Sequence, residues 1–196
     1  IELEVQPDGE GDKTYPEPRQ IFIKYQSLFE TELSYVKPQI ILEIGARSLF
    51  EPTQKSSINS IVATEFPNVQ TSVISADITT AVAAKTFLEK AFLLNEEFQK
   101  AKPRTRRMSR HYYDLEKLMD TDFAKNALDN YELYNNIIEH RKHFYNLHYV
   151  DYEKNQPNNI CFYPPEELIE AFSADYANMI RTFIFKAAPT FDNLMG

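Results

Sequence analysis

The hydrophobic pattern of this chain changes near residue 86, and that change limits which folds the chain can adopt. Before it, short segments place apolar side chains at every second residue, as half-buried strands do. After it, apolar side chains recur every three or four residues, as in amphipathic helices. We therefore predict an α+β fold in which residues 1–85 contain the sheet and residues 86–196 form the helical half of one compact domain.

Several segments predict individual elements. Strands are predicted for IELEV, QIFIKY and QIILEIGA, and extended chain for VQTSVIS and ITTAV. Between them, EPTQKSSINSIVATEFP predicts a short helix that is capped by Ser56 or Ser57 and ended by Pro67. The first long helix is predicted to start at Thr86, where TFLE fits a capping box between Thr86 and Glu89. Further helices are predicted over residues 112–119, 122–128, 131–150 and 165–185.

Composition excludes some classes of function. The formal net charge is −8, so phosphate backbones are repelled on average and general nucleic-acid coating is not expected. No apolar run is long enough for a membrane span, and the acidic start of the chain does not fit a signal peptide. The single Cys161 cannot form an internal disulfide, so we expect a cytoplasmic protein that does not contact membranes.

One segment departs from this acidic average. Residues 100–110 contain no acid and carry these basic side chains: Lys100, Lys102, Arg104, Arg106, Arg107 and Arg110. A solvated loop between two helices would explain this composition, and so would a landing site for a polyanion. The sequence leaves both interpretations open.

Glu43 lies in a strand that is otherwise apolar. The strand period of two places Ile40, Leu42 and Ile44 on one face. Ile41 and Glu43 fall on the other face. A carboxylate in such a segment either marks a strand near a sheet edge or serves a function, and as a metal ligand it offers a hard oxygen suited to Mg²⁺.

Arg47 follows Glu43 by four residues. In an extended chain this separation is roughly 13 Å, so a local ion pair is not expected unless the chain turns after Gly45.

Two further charged side chains lie beside predicted apolar helix faces. Lys90 adjoins the stripe of Phe87 and Leu94, where it is either a snorkelling lysine or a point charge for a triphosphate. Asp114 follows Arg110 by four residues, which is also the spacing of an ordinary surface ion pair.

Other motifs are weaker or missing. His140, His143 and His148 lie on one predicted helix, but no cysteine or matching carboxylate accompanies them, so a solvated helix face is favoured over a zinc site. The chain has no glycine-rich phosphate loop and no nucleophile elbow. Its D-x-D at 120–122 is interpreted as the junction between two helices.

Five stretches in order resemble one protein family. They are IFIKYQSLF, VKPQIILEIGARSLFEP, TFLEKAFLLNEEF, RMSRHYYDLEKLM and PPEELIEAFSADYANM. Together they resemble the C-terminal two-thirds of the AbiEii/AbiGii-type toxins, over residues 21–194. The resemblance implies a polymerase-β-like nucleotidyltransferase fold, with a mixed sheet followed by a helical half.

The resemblance also implies an activity and its site. Such toxins belong to type IV toxin–antitoxin or abortive-infection systems of phage defence, and transfer a nucleotidyl group from an NTP, in some cases to tRNA, with Mg²⁺. The family's strand carboxylate matches Glu43, which would bind the metal, and its lysine matches Lys90. Its R-D-x-Y-D-L motif matches residues 110–115, where Asp114 keeps the second acid and His111 replaces the first. Lys90 and Asp114 are therefore the expected catalytic residues. The expected substrate-binding residues are Arg47, Arg107, Arg110 and His111.

A Gly-Ser turn followed by D-x-D, which carries the main metal site of this fold, is absent before Glu43. Together with the start at Ile1, this predicts either a fragment or a degenerate member, inactive alone. Expected partners are an NTP, tRNA or another nucleic acid at residues 100–110, and a cognate antitoxin. An exposed sheet edge in a fragment would also allow a homodimer. The alternative is a non-catalytic module that binds a protein or RNA on the same scaffold.

Overall fold

The structure is a computed structural model that describes residues 1–5, 19–27, 37–45, 49, 51–69, 75–184 and 186–196. The described strands are β1 (Glu2–Val5), β2 (Arg19–Lys24), β3 (Gln39–Ile44), β4 (Thr53–Asn59) and β5 (Ser75–Ala81). The described helices are α1 (Ile61–Glu65), α2 (Ala83–Glu97), α3 (Ser109–Met119), α4 (Asp122–Asp129), α5 (Tyr131–His140), α6 (Ile169–Thr182) and α7 (Phe191–Met195). Strands precede most of the helices, which confirms the α+β class.

The described strands form two antiparallel sheets instead of the mixed sheet that the resemblance implied. One sheet has the order β1-β2-β3 and the other pairs β4 with β5. The predicted alternation in β3 is confirmed, because Leu42 pairs with Ile21 and Glu43 pairs with Gln20 on opposite faces. Among the described strands β3 lies at an edge of its sheet, which is one of the two explanations offered for its carboxylate.

The two faces of this sheet differ in character. One face carries a continuous set of apolar side chains: Leu3, Val5, Ile21, Ile23, Ile40, Leu42 and Ile44. The other face carries Glu4 beside Lys24 and Gln20 beside Glu43, with Phe22 and Ile41 between them. This second face is the one that borders the candidate site.

The short helix was predicted too early in the chain. Residues 53–59 form β4, which pairs with β5 along its whole length, and the Ser56 and Thr80 hydroxyls lie 2.8 Å apart across the pair. Ladder pairing therefore outweighs the local turn preference of the serines. The helix begins one residue after Ser60, whose side chain accepts from the Ala63 amide, and it ends before Pro67 as predicted.

The predicted capping box at Thr86 is wrong. Helix α2 begins at Ala83, and the Thr86 hydroxyl donates to the Val82 carbonyl from within the first turn. The helix predicted over 131–150 is shorter, since α5 continues into a π-helical turn and stops at Asn146 in the left-handed region, φ 42°. The helix predicted from Pro165 starts as a 3₁₀ turn before α6.

Helix α2 lies at the centre of the core. It packs against α3, α4 and α5, and Leu88, Phe92 and Leu94 on it are almost completely buried. The ring of Phe92 meets that of Tyr134 of α5 edge to face, with centroids 5.0 Å apart. Because α2 touches most of the helical half, its charged residues are placed between neighbouring helices. Among the described residues, no helix is long and apolar enough to cross a bilayer.

Candidate active site

An ion pair joins α2 to α3 at the edge of the core. Lys90 Nζ lies 2.6 Å from Asp114 Oδ2, although 24 residues separate them in sequence. Lys90 is 22% exposed and Asp114 is 43% exposed, so the pair is open to solvent on one side. The two expected catalytic residues are thus in direct contact, an arrangement that the helical periods alone do not specify.

His111 lies beside this pair on the first turn of α3. Its side chain is 8% exposed, and its Nδ1 is buried with no hydrogen-bond partner. Burial is the main cause that lowers the pKa of His111 from 6.5 to about 4, and the nearby charges of Lys90 and Arg110 lower it further against the opposing effect of Asp114. The imidazole is therefore neutral at physiological pH.

A cavity of about 650 Å³ adjoins His111. Its basic wall is built from residues that precede α3 or lie in its first turn: Arg104, Arg106, Arg107, Arg110 and His111. The polar sheet face contributes Gln20, Ile41 and Glu43 to the lining. Leu93 of α2 and Met108 complete the lining. The cavity therefore faces a carboxylate with several guanidinium groups.

Four of the predicted site residues line this cavity, namely Glu43, Arg107, Arg110 and His111. Lys90 and Asp114 do not line the cavity, but their charges act on the pKa of His111, which does line it. Arg47 lies outside the described residues. The assignment of roles to these residues stays a prediction.

Two acids that the sequence analysis missed hold the basic segment in place. Glu97 of α2 is buried and accepts hydrogen bonds from the Arg104 amide, the Arg104 guanidinium and Lys100. Burial alone would raise the pKa of Glu97, but these hydrogen bonds outweigh it and hold the pKa below its usual value. Asp175 of α6 accepts from the amides of Arg107 and Ser109. The segment is therefore a largely exposed loop between two helices, as one of the two interpretations expected, and it is anchored at two points.

This anchoring divides the basic residues into two groups. Lys100 and Arg104 are engaged by Glu97. Arg106 and Arg110 are exposed, and we find no acidic partner for either among the residues that the structure describes. Two guanidinium groups thus remain available at the cavity for an anionic ligand.

The described residues do not by themselves form a complete magnesium site. Glu43 faces the cavity but accepts a hydrogen bond from Gln20, and Asp114 is paired with Lys90. Within the described part of the chain, no group of three or more His, Cys, Asp or Glu side chains is placed to hold a metal ion.

Comparison with known families identifies the chain. Residues 2–196 match the model of the family described as nucleotidyl transferase AbiEii toxin, type IV toxin–antitoxin system. The chain belongs to this family. The match spans nearly the whole chain and confirms the resemblance that the five stretches gave. No curated protein and no solved structure matches the chain. Membership in a type IV toxin–antitoxin family implies a cognate antitoxin as a partner of this AbiEii-family protein.

Proposed function

We propose that this AbiEii-family chain carries the helical side of a nucleotidyltransferase site, which transfers a nucleotidyl group from an NTP to an acceptor nucleic acid such as tRNA. The observation that carries this proposal is the Lys90–Asp114 ion pair beside an arginine-lined cavity. A polymerase-β-like arrangement of the complete fold is part of the same proposal.

Each group in the site has chemistry suited to such a transfer. Arg106 and Arg110 present planar guanidinium groups to the cavity, and these bind phosphate oxygens in a bidentate manner. Lys90 is a compact positive charge that can stabilise charge developing on a triphosphate. Asp114 holds the lysine ammonium in place and keeps it oriented between α2 and α3.

The acceptor is proposed to approach along the basic segment. Arg106 and Arg107 line the cavity and are exposed, and Lys102, four residues before Arg106, is also exposed. Nucleic-acid affinity depends chiefly on such phosphate contacts. The overall net charge of −8 confines this affinity to the basic segment.

Magnesium and a homodimer also belong to the proposal. Glu43 can contribute one oxygen ligand to Mg²⁺, and a complete site needs further oxygen ligands from outside the described residues. Among the described strands β3 is an edge strand, and strand pairing there would allow two copies to associate. Sizing chromatography that gives a single monomeric peak at all concentrations would refute the dimer.

The test is NTP binding and transfer by the protein expressed from its full natural reading frame. An NTP at ~100 times its Kd should stabilise the protein by about 2.7 kcal/mol in a thermal-shift measurement with Mg²⁺. Transfer of α-³²P from each NTP to a tRNA pool then identifies the donor and the acceptor. The Asp114→Asn variant should lose transfer.

A negative result in both assays would contradict the proposal. If no NTP stabilises the protein and no label is transferred, the site is not a nucleotidyltransferase site. Binding of RNA or a protein by this same inactive protein would then favour the non-catalytic module on the same scaffold.

A further inference from the structure

Helix α3 begins without a cap from its own sequence. The residue before its first turn is Met108, which is 3% exposed and has no side chain able to accept from the first amides. Free amides at a buried helix start are unfavourable, so most helices satisfy them with a Ser, Thr, Asp or Asn at this position. The start of α3 therefore needs an acceptor from elsewhere in the chain.

Asp175 on α6 supplies that acceptor. Its Oδ1 accepts from the Arg107 amide at 2.6 Å, while its Oδ2 accepts from the Ser109 amide at 3.1 Å and from the Ser109 hydroxyl at 2.5 Å. Ser109 is completely buried, so water does not replace the two bonds that it donates. The carboxylate charge is also favourable beside the positive end of the helix dipole.

The same carboxylate holds an unusual backbone turn. Arg107 has a φ of 59°, in the left-handed region that residues other than glycine rarely adopt. Such a conformation persists only where its surroundings fix it. The hydrogen bond from the Arg107 amide to Asp175 fixes the turn directly before α3.

The start of α3 determines where the candidate site residues lie. Arg110, His111 and Asp114 all fall within its first two turns. A helix that starts one residue later, or that rotates at its first turn, would carry Arg110 and His111 away from the cavity wall. It would also strain the pairing of Asp114 with Lys90.

We propose that Asp175 is a positioning residue for the nucleotide site, an inference that rests on the proposed function. It contacts none of the expected reacting groups itself and does not line the cavity. It acts by holding the turn at Arg107 and the first amides of α3, so that Arg110 and His111 face the ligand. The body of α3 is held independently, since Tyr112 packs against Phe172 of α6 with ring centroids 5.6 Å apart.

The experiment compares Asp175 with a matched cap elsewhere. Asn130 caps α5 by accepting from the Leu133 amide at 3.0 Å, and it does not line the cavity. The Asp175→Ala and Asn130→Ala variants are made in the full-length protein, and both are expected to lower the melting temperature. NTP affinity, the kcat and KM of transfer, and hydrogen exchange at the Ser109 amide are measured for each.

Asp175→Ala should raise the Kd and KM for the NTP by about tenfold or more, since misplacement of site groups by ~1 Å can cost ~10²-fold in rate. The Ser109 amide should exchange faster. Asn130→Ala should lower the melting temperature by a similar amount as Asp175→Ala, but it should leave the Kd, the KM and hydrogen exchange at the Ser109 amide unchanged. Asp175→Asn keeps one carbonyl acceptor, so its Kd and KM for the NTP should lie between those of the wild type and of Asp175→Ala. This variant replaces Asp175→Ala in the test if the alanine variant does not fold.

Equal kinetic effects of Asp175→Ala and Asn130→Ala would overturn the positioning role while leaving the proposed function intact. A wild-type protein that neither binds an NTP nor transfers from it would refute both proposals. The two failures are therefore distinguishable.

Discussion

Two of the ion pairs of helix α2 have opposite character, and the contrast separates a pair within the core from the pair that we propose to be functional. Glu96 pairs with Arg141, with side chains 4% and 6% exposed. Lys90, six residues earlier on the same helix, pairs with Asp114 at 22% and 43% exposure. One pair is sealed inside the core, and the other is open beside a cavity.

The two pairs also differ in how completely they are satisfied. Glu96 accepts from Arg141 Nε at 2.7 Å, from the Arg141 terminal nitrogen at 2.5 Å and from Asn155 at 2.8 Å. Asn155 is in turn bound by Asn95, which also accepts from the Cys161 amide. Lys90 and Asp114 have no other polar partner among the described residues, and next to them His111 leaves a nitrogen unpaired. A closed network stabilises one conformation, whereas the open pair keeps hydrogen-bonding capacity for a ligand.

The largest effect on stability is expected for a substitution that breaks the closed network around Glu96. Glu96→Ala leaves the Arg141 guanidinium buried without a counter-charge, which should lower the free energy of unfolding by about 3–5 kcal/mol. Lys125→Ala, which removes an exposed pair with Asp122 at 3.9 Å, is the control and should change it by less than about 0.5 kcal/mol. Urea denaturation measures both. A loss below about 1 kcal/mol for Glu96→Ala would show that the network is not structural.

The next effect concerns activity at the open pair. Lys90→Met should reduce nucleotidyl transfer by about 10²–10³-fold, or about 3–4 kcal/mol, because it removes a positive charge expected to act on the triphosphate. The free energy of unfolding should change by no more than about 1 kcal/mol, since exposed pairs contribute little. Lys125→Met serves as the control in both assays. Transfer at the wild-type rate in Lys90→Met would refute the role of this lysine.

A pH measurement sharpens the contrast. The pKa of His111 is about 4 in the folded protein and 6.5 when unfolded, so its contribution to stability is complete above about pH 6.5 and is lost as the pH falls toward 4. When the pH falls from 7 to 5, the free energy of unfolding of the wild type should therefore decrease by about 2 kcal/mol more than that of the His111→Asn variant. Denaturation at several pH values tests this. Parallel pH profiles for the two proteins would contradict the neutral, buried imidazole.

The smallest effect concerns Arg106, which has no acidic partner among the residues that the structure describes. Arg106→Ala should weaken tRNA binding by a few-fold, and should lower the slope of log affinity against log salt by about 1, as the loss of one phosphate contact does. The control is Lys125→Ala, a basic residue that does not line the cavity. Fluorescence anisotropy across a salt series measures both slopes. An unchanged slope for Arg106→Ala would remove this residue from the nucleic-acid interface.

Local patterns predicted only part of this arrangement. The period of two in QIILEIGA correctly placed Glu43 on the face opposite Leu42, and the helical period located α2 to within three residues of its start. The helix predicted to follow Ser56 or Ser57 starts later in the structure, because residues 53–59 form a strand that is stabilised by pairing with β5, some twenty residues away. Local sequence does not specify this pairing.

Long-range contacts account for what the sequence could not show. Asp175 caps a helix that begins 66 residues earlier, and Glu96 meets Arg141 across 45 residues. No periodicity relates such positions, since each depends on how separate helices pack. Lys90 and Asp114 were singled out by their positions beside predicted apolar helix faces and by the family motifs, while their direct contact is a result of the packing of α2 on α3.

The alternation of β3 has a consequence for insertions and deletions in this strand. Adding or removing a single residue between Gln39 and Glu43 would shift the pairing with β2 by one position and turn every later side chain to the opposite face. Leu42 or Ile44 would then border the arginines, and Glu43 would join the apolar side. Insertion or deletion of one residue in β3 is therefore more disruptive to the cavity than most substitutions in this strand. The position of Glu43 at the cavity depends more strictly on the length of the strand than on which aliphatic residues it contains.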